Sequence, residues 1–143
     1  TMSVMLLDID YFKTINDNYG HECGDKILSA LAQKVQRIVG TAGSVARMGG
    51  EEFAVIASVP DKAQALALAE TIRQSIEEYR FRWRQQTLSL TVSIGLSHAV
   101  TEFWQRTDTF NRLLNEADEY LYLSKKAGRN RVSVRRDTQS VAV

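Results

Sequence analysis

The segment Met48-Gly49-Gly50-Glu51-Glu52-Phe53 constrains the fold of this chain more than any other stretch. Short β-branched or apolar runs at 44–47 and 53–57 lie on either side of it and are typical of strands. Because only glycine reaches the positive φ angles of a primed two-residue turn without steric cost, the glycine pair predicts a β-hairpin. The hairpin does not explain the two carboxylates, which at the end of a tight turn can both face one cleft.

A second acidic cluster follows the apolar run Ser3–Leu7. That run predicts a central strand buried on both faces, and it ends in Asp8-Ile9-Asp10. Buried carboxylates are costly unless they are paired or bound to metal. If this strand lies beside the hairpin, Asp8 converges with Glu51, and also with Glu52 if both turn carboxylates face the same cleft, and their repulsion requires a cation. Ligands that are all oxygen suit Mg²⁺.

The composition is that of one ordinary globular domain. The chain has 143 residues, of which 44% are hydrophobic and 24% charged, enough for a single core. We assign residues 1–136 to this domain and expect a disordered tail at 137–143. A net charge of +1 argues against nucleic acid as a partner, and no apolar run reaches transmembrane length, so we expect no direct membrane contact. The single cysteine, Cys23, fits a reducing compartment.

The pattern along the chain predicts an α/β (α+β) fold. A short helix, which Asp10 could cap, should follow the first strand, and turn formers predict a reversal at 16–21. The other predicted elements are helices from Asp25 to about Val39, from a cap at Asp61 to about Arg80, and around 113–121, with strands at 88–94 and 131–134. This order predicts a ferredoxin-like sandwich whose mostly antiparallel sheet is covered by helices on one face.

Five blocks in order, spanning nearly the whole chain, resemble the GGDEF domain of bacterial diguanylate cyclases, in the GGEEF variant of the signature. The blocks are Asp8–Lys13; Asn16-Asp17 with Gly20-His21 and Gly24-Asp25; Arg47–Phe53; Thr91–Gly95; and Ala117-Asp118 through Lys125 to Gly128-Arg129-Asn130. The resemblance implies a palm-type relative of the ferredoxin sandwich. It also implies an enzyme that condenses two GTP into the bacterial second messenger cyclic di-GMP and releases two pyrophosphates.

The resemblance implies metal and catalytic residues as well. Asp8, the backbone carbonyl of Ile9, Glu51 and Glu52 match ligands of two Mg²⁺ (Mn²⁺ is possible) at each GTP site. Glu51 also matches the signature acid proposed as general base, although a metal-held carboxylate is a poor base and water could serve instead. Lys13 resembles the family's transition-state lysine.

Five further positions resemble the family's substrate-binding residues. Asp25 can accept from the N1–H and exocyclic amine of guanine, and Asn16 can add amide hydrogen bonds. From the residues alone, the preferred interpretation of Asp25 is a helix N-cap after Gly24. His21 matches a site near the ribose or base, with a structural turn histidine as the alternative. Lys125 and Arg129 resemble phosphate anchors.

Two departures from the family pattern carry predictions. The inhibitory Arg-x-x-Asp of the family aligns with Gly40-Thr41-Ala42-Gly43, so we expect no inhibitory site and no product feedback through it. The family segment Asp-x-Leu-Thr-x-Leu-x-Asn-Arg does not precede the first strand, so we expect a fragment of a longer protein with a regulatory domain upstream.

Product formation should need a homodimer, since each domain binds one GTP. We expect a cytoplasmic domain, which a full-length protein could tether to a membrane.

Two rival functions remain at this stage. The first is a catalytically weak module that binds GTP or cyclic di-GMP and regulates a partner; the retained Asp8, Glu51 and Glu52 argue against it. The second is a ferredoxin-like RNA binder, since that topology serves many functions. The chain lacks an RNA-recognition signature of exposed sheet aromatics, and its charge is near neutral.

Overall fold

The computed structural model describes residues 1–99 and 107–136. In chain order the elements are β1 Met2–Ile9, α1 Phe12–Tyr19, α2 His21–Val39, a 3₁₀ turn Gly40–Ala42, β2 Gly43–Gly49, β3 Glu52–Ala57, α3 Lys62–Glu78, β4 Phe81–Trp83, β5 Gln86–Leu88, β6 Val92–Ala99, α4 Thr107–Lys126 and β7 Val132–Val134. The tail at 137–143, which we expected to be disordered, lies outside the described residues.

Strand β1 lies at the centre of the main sheet. It pairs antiparallel with β3 on one side and with β6 on the other. The strand order is β2-β3-β1-β6-β7, and β6 and β7 pair in parallel. This mostly antiparallel sheet with flanking helices and a glycine hairpin confirms the predicted fold class.

Helices cover both faces of the sheet, so the prediction of one covered face is wrong. Alternate residues of β1, Met5 and Leu7 among them, join the core under α2 and α3, whereas Val4 and Leu6 pack beneath α4. The reason is the continuous apolar run, which buries side chains on both sides of the strand. Asp8 follows Val4 and Leu6 in that alternation and therefore lies on the α4 face.

The helix boundaries depart from the predictions near the first turn. Helix α1 runs to Tyr19, so the expected reversal at 16–21 shrinks to Gly20, whose φ is 93°. Helix α2 starts at His21, so Asp25 lies within it and does not cap it. The cap at Asp61 is confirmed, because its Oδ1 accepts from the backbone N–H of Gln64 at 2.8 Å.

The predicted strand at 88–94 is wrong in its bounds. Residues 81–88 form the two-stranded β4–β5 hairpin, and β6 begins only at Val92. Leu88, Leu90 and Val92 are all buried, so the alternating pattern continues while the pairing partner changes. Alternation of apolar and polar residues indicates which side chains are buried, but it does not indicate which strands pair.

Close packing fixes α4 on the sheet. A Cβ at Gly95 would lie 2.0 Å from the carbonyl oxygen of Ala117, so only glycine admits the helix backbone this near β6. The Ser124 hydroxyl also donates to the Ile94 carbonyl at 2.8 Å. The side chains near the C-terminal end of α4 are therefore held over the end of β1. Within 1–99 and 107–136, no helix combines the length and apolar character needed to span a bilayer.

Candidate active site

The glycine hairpin brings its acid pair to the end of β1. Asp8 and Glu52 are Cα register partners on β1 and β3, and the backbone N–H of Ile9 donates to the carbonyl oxygen of Glu51 at 3.3 Å. The turn has φ angles of 147° at Gly49 and 49° at Gly50, as the predicted glycine hairpin requires. Asp8, Glu51 and Glu52 are called the acidic cluster below.

Burial and mutual repulsion perturb the acidic cluster. Asp8 is 8% exposed, and burial raises its pKa, as do the charges of Glu51 and Asp10 to a smaller degree. Burial also raises the pKa of Glu52, followed by the charges of Asp8, Asp118 and Glu51. The neighbouring charges are thus close enough to disfavour the ionised forms of Asp8 and Glu52.

Lys125 supplies the positive charge nearest to the buried aspartate. Its Nζ lies 2.9 Å from Oδ2 of Asp8, and this contact opposes the upward shift of the Asp8 pKa. The lysine side chain is 35% exposed, so its ammonium also reaches solvent. A flexible ammonium of this kind can move between a carboxylate and an incoming phosphate.

Arg129 lies beside the start of α1. Its guanidinium carbon is 4.9 Å from the centre of the Tyr11 ring, a cation–π contact. Both residues have left-handed backbone angles, with φ of 65° at Arg129 and 57° at Tyr11. Lys13 is exposed in the first turn of α1.

The corner between α1 and α2 holds a buried amide oxygen. Oδ1 of Asn16 is buried and has no hydrogen-bond partner among the residues that the structure describes. A Cβ on Gly24 would lie 1.9 Å from that oxygen, so the glycine makes room for the amide. Asp25 follows Gly24 on α2 and is exposed, as is His21 at the helix start. A buried acceptor left unpaired is costly, and a ligand donor would relieve that cost.

Asp10 has a structural role that the sequence reasoning missed. It does not cap α1, since Tyr11 occupies the N-cap position and no side chain caps that helix. Instead its carboxylate accepts from Thr91 Oγ1 at 2.7 Å, Ser93 Oγ at 2.6 Å and the Asn130 backbone N–H at 3.0 Å. The sequence signal was the alternation of two hydroxyl residues, Thr91 and Ser93, which puts both on one face of a strand.

Comparison with known protein families shows to which family this chain belongs. The family model described as "Diguanylate cyclase, GGDEF domain" matches residues 1–131. The chain belongs to the GGDEF domain family.

Relatives of this GGDEF domain are named as diguanylate cyclases. It is 56% identical over 140 residues to the probable diguanylate cyclase DgcF of Escherichia coli K12, covering 98% of this chain and 44% of the relative. The chain therefore spans less than half the length of that curated relative.

Two solved structures are also similar. The DgcB GGDEF domain from Caulobacter crescentus in complex with c-di-GMP has a TM-score of 0.82 at 31% identity, covering 93% of this chain and 77% of that one. The active GGEEF domain of a Vibrio cholerae diguanylate cyclase has a TM-score of 0.77 at 33% identity, covering 95% and 83%.

The residues of the acidic cluster fit the divalent metal that GGDEF diguanylate cyclases use. Their donors are all oxygen, and the repulsion on buried Asp8 is what a bound cation would relieve. Within the described residues, no group of three or more His, Cys, Asp or Glu side chains is arranged to hold a metal ion.

The structure brings several of the predicted site residues together. Asp8, Glu51 and Glu52 meet, Lys125 contacts Asp8, and Asn16 lies against the α2 turn that carries Asp25. A cavity of about 620 Å³ lies elsewhere, between α2 and β2, and includes none of the predicted site residues in its lining. The acidic cluster is the candidate site for chemistry, because buried Asp8 lies beside two further carboxylates there.

Proposed function

We propose that this GGDEF domain is a diguanylate cyclase, which condenses two GTP into cyclic di-GMP and releases two pyrophosphates. The observation that carries the proposal is the register of β1 and β3, which puts Asp8 opposite Glu52 with Glu51 in the adjoining turn. A buried aspartate beside two further carboxylates at the end of a central strand has little structural value by itself.

Each half of the reaction joins two nucleotides. The 3′-hydroxyl oxygen of one GTP forms a bond to the α-phosphorus of the other, and the bond to the bridging α–β oxygen breaks as pyrophosphate leaves. The hydroxyl proton passes to Glu51 or to water. The metal ligands would be Asp8, the Ile9 carbonyl, Glu51 and Glu52. Two Mg²⁺ ions (or Mn²⁺) bound there would neutralise charge on the α-phosphate and on the leaving pyrophosphate.

Basic residues near the acidic cluster would hold the phosphates. Lys125 can turn from Asp8 to a phosphate oxygen, and Arg129 can use the part of its guanidinium fork not facing Tyr11. Lys13, exposed on the first turn of α1, would stabilise negative charge in the transition state.

The α1–α2 corner would select guanine. The unpaired Asn16 oxygen can accept a guanine N–H, and Asp25 can accept from N1–H and the exocyclic amine, donors that adenine does not offer in that pattern. His21, at the start of α2, would contact the ribose or base. A site that leaves polar groups unpaired with the wrong base discriminates strongly.

Two copies of the domain would be needed, because each holds one GTP. Catalysis then takes place in a homodimer with the two sites face to face. We assign the catalytic domain to residues 1–136. We expect the reaction to take place in the cytoplasm, where GTP is available.

A direct test is to incubate the chain at high concentration with GTP and Mg²⁺ and to identify products by mass spectrometry. Cyclic di-GMP is expected from the unmodified chain and not from Glu51→Gln, which keeps the shape of the side chain but removes its charge. If the chain binds GTP tightly but makes no cyclic di-GMP, even when fused to a dimerising coiled coil, it is instead a GTP-binding regulatory module.

A further inference from the structure

Asp10 is a buried carboxylate to which the proposed reaction assigns no role. It is 4% exposed, and its three hydrogen bonds join parts of the chain far apart in sequence. Thr91 and Ser93 fix it to the start of β6, while the Asn130 N–H ties it to the segment after α4. All three partners are donors, so the site is built for a hydrogen-bond acceptor.

Asn130 is held at its side chain as well as its backbone. Its Oδ1 accepts from Arg73 Nη1 at 3.0 Å, and its Nδ2 donates to Glu77. Asn130 and Arg129 have successive left-handed φ angles of 47° and 65°. Two such residues in a row, neither of them glycine, need outside contacts to persist. The contacts to Asp10, Arg73 and Glu77 supply them.

We propose that Asp10 is a positioning residue, which fixes the turn at 128–131 and so holds Arg129 where it can bind a substrate phosphate. The inference rests on the proposed function, because Arg129 needs a nucleotide to bind. Arg129 is the residue directly before the one that Asp10 holds, and its guanidinium lies over the ring of Tyr11, directly after Asp10. The same carboxylate thus ties the turn that carries the arginine to the start of β6, and it directly precedes the tyrosine against which the arginine rests.

The two aspartates of Asp8-Ile9-Asp10 would then act by different means. Asp8 must be ionised to bind a cation, whereas Asp10 needs only to accept hydrogen bonds. An asparagine at position 10 can put its amide oxygen where Oδ2 accepts from Thr91 and Asn130. Its amide nitrogen would then face the Ser93 hydroxyl, which can rotate to accept.

Four variants separate these roles in steady-state assays of cyclic di-GMP formation. Asp10→Ala should raise the KM for GTP by about tenfold or more and lower kcat less, a loss typical of removing a residue that orients a binding group. Asp10→Asn should restore most of the affinity. Asp8→Asn makes the same change from carboxylate to amide, but it should abolish product formation. Arg73→Met removes one of the contacts that hold Asn130 and leaves its bond to Asp10 in place. It should also raise KM, but by less, and it serves as the test if Asp10→Ala does not fold.

Hydrogen exchange gives a readout that needs no activity. The Asn130 amide should exchange faster in Asp10→Ala than in the unmodified chain, while amides of the central strand β1 stay protected. The inference is overturned if Asp10→Asn is as impaired as Asp10→Ala, which would make Asp10 a charge or metal residue. It is also overturned if Asp10→Ala and Arg73→Met leave KM and Asn130 exchange unchanged. Absence of cyclic di-GMP from the unmodified chain would instead contradict the proposed function. Hydrogen exchange at the Asn130 amide would still test whether Asp10 fixes the turn.

Discussion

Asp8 and Glu52 lie directly opposite one another on antiparallel neighbours β1 and β3, on the sheet face that α4 covers. The pKa of each carboxyl is raised, chiefly by burial, and the charge of Asp8 adds to the rise in the pKa of Glu52. Ionising this pair therefore costs more free energy in the protein alone than in water, and a bound cation would offset that cost.

Asp8→Asn should stabilise the metal-free protein at neutral pH. Because the folded-state pKa of Asp8 is raised, ionised Asp8 lowers stability above that pKa, and the cost is relieved as pH falls through it. The uncharged amide avoids the cost at every pH, so the gain should be largest at neutral pH and vanish in acid. Thermal unfolding in chelator, from neutral to acid pH, measures this. A lower midpoint for Asp8→Asn at neutral pH would show that the lost Lys125 contact dominates.

Gly24→Ala should weaken GTP binding without destabilising the fold. The new Cβ would lie 1.9 Å from Asn16 Oδ1 and 3.0 Å from the ring of Phe12. The amide is the end of a flexible side chain and can rotate away, while alanine favours the helix by up to about 1 kcal/mol over glycine. Titration with a fluorescent GTP analogue and urea unfolding measure the two effects. Ser29→Ala, on the exposed surface of α2, is the control; equal GTP affinity for both variants would remove Asn16 from the site.

Several features of the fold were predictable because they depend on neighbouring residues. The apolar run at 3–7 predicted a doubly buried strand, and the glycine pair predicted the hairpin beside it. The meeting of Asp8 with the acid pair followed from those two elements and was confirmed by their register.

Features that depend on distant partners were not predictable. The partners of Asp10 lie 81, 83 and 120 residues away, so the sequence could offer only the local alternative of a helix cap. The fit of Gly24 around Asn16 depends on how two helices cross, and the β4–β5 hairpin has strands of three residues each, too short for periodicity to reveal.

Cyclic di-GMP should not inhibit this domain through the 40–43 segment, and restoring the charges should not restore inhibition. A Cβ at Gly43 would lie 2.1 Å from the Ile56 carbonyl oxygen, and Gly40 has a φ of 58°. The double variant Gly40→Arg, Gly43→Asp should therefore lose stability by about 1–3 kcal/mol and remain insensitive to product. Initial rates with added cyclic di-GMP test this. Strong inhibition of the unmodified chain would contradict it.

His98 should make the protein less stable in mild acid. Burial lowers its pKa from the ordinary value of 6.5, and its Nδ1 pairs with the Ser3 hydroxyl at 2.5 Å. Since the unfolded chain binds this proton more readily, stability is full above pH 6.5 and falls as pH drops from there towards the folded pKa. His98→Gln should flatten the pH profile of the free energy of unfolding. The chain's other histidine, exposed His21, is the matched control, and an equal effect of His21→Gln would contradict the assignment to His98.

The most direct test of the proposed function is the amount of cyclic di-GMP formed per domain from GTP and Mg²⁺, measured by mass spectrometry over a wide range of protein concentration. The unmodified chain should form it at a rate per domain that rises steeply with concentration, because two sites must meet, and Glu51→Gln should form none. No cyclic di-GMP at any concentration, or the same yield from Glu51→Gln, would contradict a diguanylate cyclase built on the acidic cluster.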